Sequence, residues 1–177
     1  MGGNKASGFS LVETLIALTL VGVAMTGLLV AFVGSGKFGV LARRQANAVA
    51  VGRSIASQLD VAPWNDPRLA NTNSGNDVEF ADPNGRFALP TVPTGAFAPD
   101  SVLGVYTGVP ATDTSFKVGD ESYDAYVNVA PDGTTGIFFA VIVRYRVGNQ
   151  GGGTFMRAVV LGYRYNPAVG GTRQLPI

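Results

Sequence analysis

The stretch Gly8–Gly36, GFSLVETLIALTLVGVAMTGLLVAFVGSG, contains a single ionisable side chain, Glu13. From Phe9 onward it is 28 residues long. As a helix it measures about 42 Å, longer than the roughly 30 Å hydrocarbon core of a bilayer, so it spans with some tilt. Apolar residues occupy every side of it, as a helix surrounded by lipid or by a tight bundle requires. A core helix of a water-soluble domain is shorter. The competing reading is a secretory signal peptide, with Lys5 in its basic region and a cut after a small residue near Gly34 or Gly36. Its apolar region would then far exceed the usual ~7–15 residues and would begin with an acid. A carboxylate within such a helix costs about 2.5–3.5 kcal/mol on insertion scales, so it carries a partner and a purpose.

Around this stretch, the composition removes whole classes of chemistry. The chain has 177 residues with no His, no Cys, 24 Gly, 10 Pro and only 14% charged side chains. Without His there is no Ser-His-Asp or Cys-His pair, and without Cys no disulfide framework, thiol nucleophile or zinc knuckle. The length suits one domain by the usual ~100–200 residues each. A net charge of +1 gives no electrostatic case for nucleic acid as the main partner. That average hides a division. Residues 1–60 carry five basic and two acidic groups, whereas residues 61–177 carry eight and ten. Counting charges alone would put the C-terminal side in the cytoplasm, because Lys37, Arg43 and Arg44 outnumber Lys5 across the apolar stretch.

The leader MGGNKASG, the Gly8/Phe9 junction, Ser10-Leu11-Val12-Glu13 and the long apolar helix resemble the prepilin signature of type IV pilins and type II secretion pseudopilins. The resemblance covers residues 1 to about 40. It implies cleavage by prepilin peptidase between Gly8 and Phe9, N-methylation of Phe9, and an assembly role for Glu13, which is fifth in the processed chain. It also implies a cytoplasmic amino end, overriding the charge count; long C-terminal domains translocate largely regardless of charge. In a helical filament the Glu13 carboxylate of one subunit meets the Phe9 amine of its neighbour. That contact satisfies two groups that are costly alone in a dry core, and it fixes register.

Small residues support the same picture. Gly27 and Ala31 make a small-xxx-small pair, and Gly22, Gly34, Gly36 and Gly39 interrupt the run, so Gly34–Gly39 is a candidate kink or melted segment. Beyond Lys37 the pattern turns amphipathic. Leu41, Ala48, Gly52, Ile55 and Leu59 keep one stripe, with Arg43, Arg44, Gln45, Asn47, Arg53 and Gln58 elsewhere, so one helix is expected from about Phe9 to about Leu59, ending ahead of Pro63.

Residues 61–121 read as loop chemistry with short strands expected at Val78–Phe80, Arg86–Leu89 and Val102–Tyr106. Asn73, Asn76, Asp77, Glu79, Asp82 and Asn84 could surround a cation, but they match no EF-hand spacing, and Asx turns account for them equally well. Ser122–Ala130 alternates, Pro131-Asp132-Gly133 marks a turn, and Ile137–Val147 with Thr154–Tyr165 reads as an antiparallel hairpin. Arg144, Arg146, Arg157 and Arg164 with Tyr145, Tyr163 and Tyr165 are of the right type to hold phosphates and stack bases, although the acid excess of the domain favours an ordinary solvated sheet face.

The expected fold is α+β, a long N-terminal membrane-spanning helix packed on an antiparallel sheet. Its expected parts are a leader (1–8), an assembly half of the helix (9–36), an amphipathic half (37–60) and an extracytoplasmic β-rich domain (61–177). The resemblance implies a structural subunit of a type IV pilus with neither catalytic residues nor cofactor, and the lack of Cys favours a minor pilin or a pseudopilin over a major one. Implied partners are other pilin subunits, prepilin peptidase, the inner-membrane assembly platform and, before assembly, the bilayer. The implied location is single-pass in the inner membrane with a periplasmic C-terminal domain, then the filament or cell surface. The rival from a different class is a membrane-anchored extracytoplasmic binding module whose helix is only a tether.

Overall fold

The computed structural model describes residues 10–81, 98–105, 107, 109–147 and 154–168. One helix, α1 (Leu11–Val61), is followed by short 3-10 turns at Pro67–Leu69 and Ser74–Asn76, a one-turn helix α2 (Val78–Ala81), and five strands. These are β1 (Ser101–Gly104), β2 (Phe116–Val118), β3 (Glu121–Asp132), β4 (Gly136–Val147) and β5 (Thr154–Tyr165). All pairings are antiparallel in the order β1-β3-β4-β5, with β2 lying along the same side of β3 as β1. By compactness the chain divides into Met1–Ala42 and Arg43–Ile177, so the second unit includes the amphipathic end of α1.

That end of the helix is α1's contribution to the core. Ala48, Gly52, Ile55 and Leu59 are its buried residues, at the 4-3-4 spacing that keeps one stripe on one side of a helix. The register of the long strands sorts their side chains by alternation. Tyr123, Ala125, Val127 and Val129 of β3 pair with Tyr145, Val143, Val141 and Phe139 of β4, and all eight are buried beneath α1. Gly52 fixes how closely the helix approaches. A Cβ there would stand 2.9 Å from Val160 Cγ2 and 3.4 Å from Val143 Cγ2. Both neighbours are stiff β-branched side chains, so Gly52→Leu should force the helix outward and cost about 1–3 kcal/mol. Urea unfolding of the full chain in detergent, followed by the fluorescence of its single Trp, Trp64, measures that loss.

Polar contacts place the helix along the sheet. The Arg44 guanidinium reaches Glu121 at 2.8 Å and the Arg146 carbonyl at 3.2 Å, and the Tyr145 hydroxyl donates to Gln45. At the other end, α1 has no basic residue in its last turn. Arg164 of β5 supplies the cation instead: its Nη2 donates to the Ala62 carbonyl at 2.7 Å, with the guanidinium over the Trp64 ring. A positive group at that position satisfies an orphan carbonyl and complements the helix dipole.

Several expectations need correction. Val78–Phe80 is helical, because the preceding turn at Ser74–Asn76 leads straight into it and the Phe80 N–H bonds to the Asp77 carbonyl. Strand β3 runs on through Pro131 and Asp132, and the turn falls at residues 133–135, where Gly133 takes φ +54°. Of the strand expected at Val102–Tyr106, β1 holds Val102–Gly104, and Val105 has left the ladder, its carbonyl taking the Thr114 N–H instead. Helix α1 is continuous through Gly34–Gly39, with no melted turn there. Arg86–Leu89 and Tyr106 lie outside the described residues.

The second face of the sheet is also buried in its middle. Tyr126, Ala140 and Ile142 form a core there, covered by Phe80, Val105 and Val159. The loop-rich region before β3 therefore works as a lid on the sheet, which explains why both registers of β4 read as apolar.

Candidate functional site

The apolar half of α1 begins with a cap. The Glu13 N–H donates to the Ser10 hydroxyl at 3.2 Å and to the Ser10 carbonyl at 3.0 Å, placing Ser10 at the N-cap and Glu13 three residues on. The S-x-x-E spacing is that of a capping box, a local signal legible in the sequence. From Leu11 to Val33 every large apolar side chain is exposed, and α1 is long and apolar enough to cross a membrane. Three threonines in this stretch satisfy themselves. Thr14 donates to the Leu11 carbonyl (2.8 Å), Thr19 to Leu15 (2.7 Å) and Thr26 to Gly22 (2.5 Å). Internal satisfaction of polar groups is what a hydrocarbon environment demands.

Glu13 is different. It is exposed, and among the described residues its carboxylate has no hydrogen-bond or ion-pair partner. Gly22, Gly27, Gly34, Gly36 and Gly39 likewise have open space where a Cβ would stand. Each Gly costs the helix about 1 kcal/mol relative to Ala, and nothing within the subunit requires it. Gly8 and Phe9, the expected cleavage and methylation positions, lie outside the described residues.

Against known protein families, residues 3–29 match the prokaryotic N-terminal methylation motif. This is the prepilin signature of type IV pilins and type II secretion pseudopilins. No curated protein and no solved structure matches the chain. The methylation motif spans Gly8, Phe9 and Glu13 together with most of the apolar stretch that follows. The motif and the apolar helix support a prepilin-peptidase substrate with a transmembrane helix, and together they point to membrane anchoring. The architecture beyond the motif, an N-terminal helix on an antiparallel sheet, is pilin-like.

Elsewhere, side chains with chemical potential serve the fold. Asp100 takes the N–H groups of Thr72 (2.6 Å) and Asn73 (2.7 Å) on one oxygen, and Val129 N–H (2.7 Å) and Asn76 Nδ2 (3.2 Å) on the other. These bonds tie the loop to β3, and Asn73 closes an Asx turn by accepting the Gly75 N–H at 3.1 Å. Asp77, whose carboxyl burial pushes up, accepts from Asn71 at 3.0 Å. No cluster of metal-ligating residues occurs among the described residues, and Asp82 and Asn84 lie outside them.

The Arg/Tyr grouping does not form one surface. Arg164 and Tyr145 belong to the helix side of the sheet, while Arg144, Arg146, Arg157, Tyr163 and Tyr165 belong to the other. Arg144 is buried in a pair with Asp124 at 2.8 Å, also donates to the Tyr126 hydroxyl at 2.9 Å, and stacks 4.3 Å from the Phe155 ring centre. The Tyr163 phenol donates to Asp132 at 2.8 Å, and that bond pushes its pKa up to about 12.

Asp113, Glu121 and Asp124 go to three separate cations, Lys117, Arg44 and Arg144. Hydrogen bonds from Lys117 and Ser115 hold Asp113 at about 2, and Arg68 does the same for Asp66, against an ordinary value of 3.8. Both carboxyls have folded pKa values below their unfolded ones. Their contribution is therefore complete above about pH 4 and is lost as pH falls toward 2. Acid titration of the full chain in detergent should show stability declining through that window, and Asp113→Asn should make the decline shallower.

Proposed function

We propose that the protein is a structural subunit of a type IV pilus, a minor rather than a major pilin, cut after Gly8 and N-methylated at Phe9, with Glu13 directing its entry into the filament. The observation that carries this reading is the methylation motif over residues 3–29. Two features of the helix support it. A lone carboxylate without a partner in an apolar, exposed helix calls for one outside the subunit, and the amine of a neighbour's Phe9 is of the right charge for it. Five glycines with open space around them suit close approach of neighbouring helices. The processed subunit would wait in the inner membrane, amino end in the cytoplasm and residues 61–177 in the periplasm, and leave it for the filament through the assembly platform. The work is packing and register, a task that needs neither catalytic residue nor cofactor. The lack of Cys supports a minor pilin, and the same motif serves the pseudopilins of type II secretion.

The test is fractionation. An epitope-tagged chain expressed in a piliated host should appear in sheared surface filaments as well as in membranes. A chain confined to membranes, with pili present and normal, would instead indicate an anchored binding module.

A further inference from the structure

The two lateral edges of the sheet differ in construction and in charge. One is β5, twelve residues in unbroken register with β4 and with no strand beyond it among the described residues. The other is broken: β1 and β2 lie end to end along β3, and the β1 register shifts between Val102 and Gly104. Long open edges attract partners, and bulges and short strands discourage them.

Charge separates the edges further. In the sheet most ionised groups are committed within the subunit: Arg144 to Asp124, Arg44 to Glu121, Lys117 to Asp113, Arg164 to the Ala62 carbonyl, and Asp132 to Tyr163. Two exposed ones have no ion pair or hydrogen bond among the described residues. Arg157 is on β5, and Asp120 is in the β2–β3 turn beside Gly119, at the opposite edge. Apolar groups accompany both. Leu161 (63% exposed) and Tyr165 (70%) project from β5 on the same face as Arg157, and Val102 (57%) of β1 projects on that face too, because its register partner is Tyr126.

We infer that the β5 edge of one subunit docks against the β1/β2 edge of a second copy of this chain, with Arg157 meeting Asp120 and Leu161 and Tyr165 meeting Val102. Charge complementarity selects this pairing. β5 carries no acid, so a two-fold contact through β5 leaves the Arg157 of both subunits without a counter-charge, whereas a head-to-tail contact brings opposite charges together. Such a heterologous contact does not close on itself and extends into a ring or filament. The inference rests on the proposed pilin reading and assigns it a lateral contact surface in the globular unit, separate from Glu13.

The chain has no Cys, so introduced thiols report without background. Full-length protein carrying Asp120→Cys and Arg157→Cys together, treated in membranes and filaments with a short bismaleimide, should cross-link into a ladder of dimers, trimers and higher species. Either single variant should stay monomeric, and the two single variants co-expressed should stop at dimers. Dimers from Arg157→Cys alone would overturn the head-to-tail arrangement in favour of a two-fold one. Loss of the ladder in a chain whose mass shows processing at Phe9 would overturn the contact while leaving the pilin reading intact. Loss of both would remove both.

Discussion

Glu13→Val is expected to leave the chain inserted and processed but to lower its share in sheared filaments by roughly 100-fold, the equivalent of about 2.5–3.5 kcal/mol for an unpaired charge in an apolar helix. Two effects act in the same direction. Replacing the carboxylate with Val makes the membrane-inserted subunit more comfortable, so leaving the bilayer becomes harder. In the filament the neighbour's Phe9 amine would then be buried without its counter-charge, and removing one member of a buried pair costs more than the pair contributes. The exposed, unpartnered position of Glu13 on the first turn of α1 is the structural basis for this expectation. Its capping position adds little, because the cap comes from the Ser10 hydroxyl and carbonyl acting on the Glu13 backbone. The measurement is the filament-to-membrane ratio by immunoblot, and an unchanged ratio sinks the assembly role.

The largest effect on stability is expected at Asp124. Its carboxylate and the Arg144 guanidinium are both more than nine-tenths buried and 2.8 Å apart. Asp124→Ala strands a buried cation, leaving the Tyr126 hydroxyl and the Phe155 ring beside it but no carboxylate in that place. Breaking such a pair costs about 3–5 kcal/mol, which for a domain of this size lowers the midpoint of thermal unfolding by roughly 10–20 °C. Asp124→Leu with Arg144→Met removes both charges at similar volume and should recover most of the loss. If Asp124→Ala unfolds within a few degrees of the parent chain in detergent, the pair carries no such weight.

What could be read in the sequence and what could not follows the range of the forces involved. Strands β4 and β5 declare themselves by runs of β-branched and aromatic residues, and the stripe Ala48, Gly52, Ile55, Leu59 by helical spacing; both are local patterns, and β4 and the stripe are also buried. Val78–Phe80 has the composition of a strand but folds as a helical turn, since the turns before it set its direction, and Phe80 is then free to cover Phe138. Strand β2 is three residues long and exists through its pairing with β3, a contact no local pattern announces. Asp100 is likewise invisible as an anchor, because its donors come from residues 72, 73, 76 and 129. In the Arg/Tyr grouping, alternation separates Tyr145 from Arg144 but does not say that Arg144 is buried by an acid on the neighbouring strand. The N-terminal site is the reverse case. Leader, junction and Glu13 are legible as a contiguous motif, and the geometry adds the Ser10 cap and the self-satisfied threonines.

The most direct test of the whole account is the intact mass of the mature chain recovered from cells. The account requires loss of Met1–Gly8 and a single methyl group on the new N-terminal Phe9. A chain beginning near Gly36 would be a secreted soluble domain released from a signal peptide, and that result would contradict the account at its centre.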